Sequence, residues 1–211
     1  SIGRISPSND YGTLIRAADF LIKNEKNKDF NFEIEIIGSP ATEKDKKYDV
    51  SLKKMVIDLG VQDRVKFLGP IPNNRISEFL GQADLFINLS HTGSIDKAVL
   101  ESMAAGVAVL SCNEAFFDIF GAYGRNLLFK KKDYQELGEK IKFLASLEVG
   151  QKEAMRQYFK QIVADNHNLH KLIDRIILIY REERGTADTM SANIKKYANS
   201  SERKKIGKTN G

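Results

Sequence analysis

The chain has 211 residues, 42% of them apolar with 12 Phe and 7 Tyr, which suits one globular α/β domain with appendages. Its single cysteine, Cys112, excludes an intrachain disulfide and fits a reducing compartment. Three histidines without ligand spacing argue against structural zinc, and no apolar run is long enough to cross a bilayer.

The formal charge of +5 is unevenly placed: from residue 185 onward six Lys/Arg face two Asp/Glu, leaving +4 on the tail and +1 on residues 1–184. A near-neutral body speaks against a nucleic-acid surface, and the polar, basic tail 185–211 is expected to be weakly ordered. The N-terminus carries no basic-then-apolar leader, which predicts a cytoplasmic protein, at most peripheral to a membrane. Ile2-Gly3 reads as the end of a strand, and with no initiator Met this predicts a sequence that starts inside a longer protein.

In chain order, residues 11–24 place Leu14, Ala17, Ala18, Leu21 and Ile22 on one helical face. Phe32, Ile34 and Ile36 alternate with glutamates as a strand closing at Ile37-Gly38. A helix is expected over 48–59 with Gly60 as its stop, then a short strand over 65–68 ending at Gly69-Pro70. Asn73 or Asn74 is the expected cap of the next helix, which carries Ile76, Phe79 and Leu80. Strand 85–89, helix 97–105 and strand 107–110 follow. Phe116, Phe117 and Phe120 have helical spacing, and segments 134–147, 150–164 and 169–183 read as helices.

Strands alternating with helices through short Gly/Pro/Asn loops predict a Rossmann-like parallel sheet flanked by helices. Such sheets bind ligands beyond the carboxyl ends of their strands, which singles out loops 4–11, 38–47, 69–74, 90–96 and 111–114. Segment 90–106 is the most site-like of these. It leaves a strand through small residues and enters a helix, whose first turn favours an anion through its free N–H groups and dipole. Gly93 and Ser94 let a phosphate approach the backbone, Lys97 adds charge, and Glu101 can accept from vicinal hydroxyls. The same spacing also fits a plain loop, with Asp96 or Ser94 as cap and Glu101 in a surface ion pair.

Four segments occur in order: Gly3-Arg4-Ile5-Ser6-Pro7, Thr13-Leu14-Ile15-Arg16-Ala17, Phe67-Leu68-Gly69, and Leu100-Glu101-Ser102-Met103-Ala104-Ala105-Gly106. This pattern, over residues 1–180, resembles the C-terminal domain of GT-B glycosyltransferases of the group 1 (GT4-like) family. The resemblance implies that residues 1–184 bind a nucleotide-diphosphate sugar, UDP- or GDP-linked. It also implies an N-terminal domain for a polysaccharide or lipid acceptor, no cofactor and no essential metal. Carried over by position, Arg4 and Lys97 would meet the diphosphate and Glu101 the ribose. Thr92, Gly93, Ser94, Ile95 and Asp96 would wrap phosphate and sugar, with Gly69, Pro70 and Ile71 beside the base. The catalytic residue stays unassigned, and the fragment alone is expected to be inactive.

Two positions depart from the family pattern. Gly93 stands where a first glutamate, eight before Glu101, is usual, and Asn9 where a second diphosphate cation is usual. They motivate an alternative, a GT-B-like binding or scaffold domain without catalysis. His91 reads as a sugar or phosphate contact or as a backbone-bonded strand end, and Cys112 as a small buried residue. Residues 166–170 read as a helix junction, and Lys130 to Lys132 as a solvated loop or a contact to anionic lipid.

Overall fold

The apolar strand segments pair in parallel, as strands joined by helical crossovers must. In the computed structural model, which describes residues 1–24, 30–91, 93–167 and 177, β1 (Ile34–Ile37) pairs with β2 (Val65–Gly69). β3 (Leu85–Asn88) pairs with β4 (Ala108–Ser111), in register from Leu85 opposite Ala108 to Asn88 opposite Ser111. Single parallel bridges extend each pair, Ile2 to Ile37 on the first and Ser111 to Leu128 on the second. An antiparallel bridge from Asn9 to Ser90 ties the loop after Ile2 to the end of β3. The expected fold class is the one found.

Residues 1–164 form one compact unit, and residues 165–211 a second. Of the second, the structure describes 165–167 and 177. The expected tail 185–211, helix 169–183 apart from Ile177, and most of the 166–170 cluster lie outside the described residues.

Helix α1 (Tyr11–Lys23) starts on Asp10, whose carboxylate accepts from Thr13 N at 3.3 Å and Thr13 Oγ1 at 2.7 Å. Its Leu14, Ala17, Ala18 and Leu21 are fully buried. Helix α2 (Glu43–Leu59) begins at Glu43 rather than at the expected residue 48. A capping box explains the earlier start: Thr42 Oγ1 accepts from Asp45 N, and Asp45 Oδ2 accepts from Thr42 N. Helix α3 (Asn73–Gln82) has Pro72 at its N-cap and no side-chain cap bond, so neither Asn73 nor Asn74 caps it. Proline fits there because its fixed φ turns the chain without needing a donor.

Helix α4 (Lys97–Ala104) leads into β4, after which the chain makes four short helical turns. Two of these are α-helical, α5 (Phe117–Phe120) and α6 (Gly124–Leu127). Helices α7 (Tyr134–Ser146) and α8 (Val149–Asn166) follow, and α7 packs edge-on to α1 through Tyr134 and Phe20. Phe116 stacks on Phe120 at 5.6 Å, and Phe120 meets Phe159 of α8 at 6.0 Å, all three fully buried.

A cavity of about 750 Å³ is walled by both strand pairs, including Ile34, Ile37, Phe86 and Ile87, and by Ile141 and Leu144 of α7. Its lining also includes the charged residues Glu33, Arg64, Asp84 and Arg156, and it touches none of Arg4, Pro70, Gly93, Lys97 or Glu101.

Candidate functional site

Parallel pairing puts the carboxyl ends of β1 and β2 on one side, and three glycines make that edge. Gly38 N donates to Gly69 O at 2.9 Å, and Gly3 N to Ile37 O at 3.0 Å. A Cβ on Gly38, whose φ is 147°, would lie 1.9 Å from Gly3 O, so the two backbones meet where no side chain fits. Gly69 takes φ 74° and turns the chain into exposed Pro70 and half-buried Ile71. Arg4 follows Gly3 on the neighbouring loop, exposed, beside the bond from Ile5 N to Ser39 O.

The edge formed by β3 and β4 is built differently, from buried polar side chains. Asn88, Ser90, Ser111 and Asn113 are each at most 5% exposed. Asn88 Nδ2 donates to Asp96 Oδ2 at 3.0 Å, and Asn88 Oδ1 accepts from Ser111 Oγ at 2.8 Å. Ser111 Oγ accepts from Asn113 N at 3.0 Å, and Asn113 Nδ2 donates to Ser94 O at 2.8 Å. Sequence reasoning missed Asn88, because a polar residue at a strand end reads as solvent-facing, and reached Ser111 only as a member of the 111–114 loop. Their one available signal is polarity inside otherwise apolar strands.

Among the expected phosphate-loop residues, Asp96 is turned inward as the N-cap of α4, its Oδ1 accepting from Ala98 N at 3.1 Å. The start of α4 is therefore capped by a carboxylate of its own chain, and positive charge at this edge comes from side chains rather than from an open helix end. Gly93 has φ 70° with open space around a notional Cβ, and Ile95 is half exposed. Thr92 lies outside the described residues. Among the described residues the exposed side chains of Arg4, Lys97 and Glu101 make no hydrogen bond or ion pair. Glu101 is thus not held in a surface pair there. Asn9 is committed elsewhere, its Nδ2 donating to Arg4 O at 2.8 Å.

Behind this edge His91 Nδ1 lies 3.3 Å from Cys112 Sγ, and His91 Nε2 lies 3.9 Å from Asp10 Oδ2. That Nε2 is buried without a hydrogen-bond partner among the described residues. Burial lowers the His91 pKa, Asp10 opposes the shift, and Lys131 and Lys132 add to it. Burial pushes the Cys112 thiol up to about 11, so it is an inert, protonated core group. No group of three or more His, Cys, Asp or Glu side chains among the described residues is arranged to hold a metal ion. No helix among the described residues is long and apolar enough to cross a membrane.

The family model described as glycosyl transferases group 1 matches residues 1–161. A D-inositol 3-phosphate glycosyltransferase of Acidothermus cellulolyticus is 31% identical over 110 residues, 52% of this chain and 24% of the relative. The chain spans about a quarter of the length of such curated relatives. Among solved structures, Anabaena Alr3699/HepE in complex with UDP superposes with a TM-score of 0.72 at 21% identity, covering 86% of this chain and 47% of that one. The C-terminal domain of the group 1 glycosyl transferase LpcC from Francisella tularensis gives 0.66 at 22%, covering 80% and 85%. At these identities the structural likeness is one of fold.

Proposed function

From the premise that the chain belongs to the group 1 glycosyl transferases, we propose that residues 1–184 are the half of such an enzyme that binds the nucleotide-sugar donor. The observation that carries this reading is the set of exposed side chains of Arg4, Lys97 and Glu101, without partners among the described residues, at the carboxyl edge of parallel strands, two cations and one carboxylate. That combination suits a diphosphate and a vicinal diol. Arg4 and Lys97 take the diphosphate, where negative charge accumulates as the glycosyl bond breaks. Glu101 accepts from the ribose hydroxyls. Gly69, Pro70 and Ile71 offer backbone groups and a small apolar surface to the base, and Thr92 to Asp96 lie along phosphate and sugar. The structure of Alr3699/HepE with UDP supports a nucleotide ligand for this fold.

The sugar goes to a polysaccharide or lipid acceptor held by a separate N-terminal domain, so the chain alone binds donor without turning it over. Calorimetry with UDP and with GDP tests this reading: a dissociation constant in the millimolar range or tighter is expected for one of them. Absence of heat with both at millimolar concentration contradicts it.

A second reading, donor binding without catalysis, is favoured by Gly93 and Asn9. At φ 70° Gly93 occupies a backbone conformation that a glutamate adopts only with strain. Asn9 spends its amide on the Arg4 carbonyl and brings no charge. Turnover of any sugar donor by the protein together with its acceptor-binding domain rules this second reading out.

A further inference from the structure

Buried polar side chains are costly unless every donor and acceptor is met, so a connected set of them at one edge of a sheet calls for a reason. Asn88, Ser111 and Asn113 form such a set beneath the segment from Ser94 to Asp96. Asp96 sets its polarity. Both Asp96 oxygens only accept, so Asn88 turns Nδ2 toward Asp96 and Oδ1 toward Ser111. Oδ1 takes the Ser111 hydroxyl proton, and the Ser111 oxygen is left to accept from Asn113 N. Asn113 Oδ1 accepts from Ala115 N at 3.1 Å, capping the turn that follows β4, so its Nδ2 is directed to the Ser94 carbonyl. Each amide has one permitted orientation, and no other donor is needed to satisfy the chain.

The result is a loop held from below at two points, the Ser94 carbonyl and the Asp96 carboxylate, with exposed Ile95 between them and Lys97 beyond. The anchors come from Asn88, the last residue of β3, and from Asn113, the cap of the turn that follows β4.

We propose that Asn88, Ser111 and Asn113 are positioning residues that fix the 94–97 segment and the start of α4 in the geometry that receives the donor. This rests on the donor-site reading. None of the three touches the ligand; they act by sparing it the entropy of ordering the loop.

The variant Asn113→Asp tests the anchor on Ser94. It keeps the acceptor that caps Ala115 and replaces the donor facing the Ser94 carbonyl with a repelling, buried oxygen. The expected result is a UDP dissociation constant raised about tenfold, measured well below a melting temperature that is itself lowered. Hydrogen exchange is expected to accelerate at residues 94–97 by a larger factor than at 86–89. Ser111→Ala, which leaves two buried groups unpaired, is expected to weaken UDP binding and to lower the melting temperature as well. Unchanged exchange at 94–97 and unchanged UDP affinity in Asn113→Asp overturn the proposal. If the parent protein binds neither UDP nor GDP, the donor-site reading fails by itself, and exchange at 94–97 still decides whether the loop is anchored.

Discussion

The two strand pairs end in opposite ways. β1 and β2 close on bare backbone, with Gly38 packed so tightly on Gly3 that a single methyl has no room. β3 and β4 close on a run of buried amides and hydroxyls that reaches upward into a loop. The first solution brings three loops together at little polar cost and tolerates no side chain at Gly38. The second carries the desolvation cost of four polar side chains and in exchange defines the loop above it. Shape at one edge is set by absence of atoms, and at the other by directed bonds.

The sharpest way to break this contrast is Gly38→Ala. Its Cβ would fall 1.9 Å from Gly3 O at a positive φ, and a loss of at least about 3 kcal/mol is expected, read as a fall in the urea midpoint. A cost below about 1 kcal/mol would mean that the glycine edge yields as readily as a loop. Glu101→Gln comes next and addresses the other edge. With no partner among the described residues, Glu101 contributes little to folding, so the melting temperature is expected to hold while nucleotide affinity falls roughly ten- to a hundredfold. Equal losses of stability and affinity would make it a structural residue.

The smallest effect concerns His91 behind the polar edge. Its pKa is lowered in the folded state, so the unfolded chain binds the extra proton first. Stability from this group is therefore full above about pH 6.5, the unfolded value, and is lost as pH falls through the lower folded value. His91→Gln is expected to flatten the acid side of a melting-temperature profile between pH 5 and 7. A parallel profile in parent and variant would contradict the assignment.

The alternation of apolar periods made the parallel fold legible, because Leu14, Ala17, Ala18 and Leu21 on one helix, or Ile34 and Ile36 on one strand, are local patterns. The start of α2 was harder. Its first turn is Glu-Lys-Asp-Lys, without an apolar residue, and only the Thr42 to Asp45 spacing marks it. Lys97 and Glu101 stood out by residue type at the start of a helix, and Arg4 through the family resemblance alone. The linking of Asn88, Ser111 and Asn113 was not legible, since the bonds of Ser111 to Asn88 and of Asn113 to Ser94 join segments far apart along the chain and no spacing within one element encodes them. The inward turn of Asp96 follows from the same non-local bonds.

The most direct test of the donor-site account is to map where UDP or GDP shifts backbone amide resonances of the protein. The account predicts shifts concentrated at Arg4, at Gly69 and Ile71, and through residues 93–101, with the cavity walled by the two strand pairs silent. Shifts centred instead on Ile34, Ile87, Ile141 and Leu144, which wall that cavity, would contradict it.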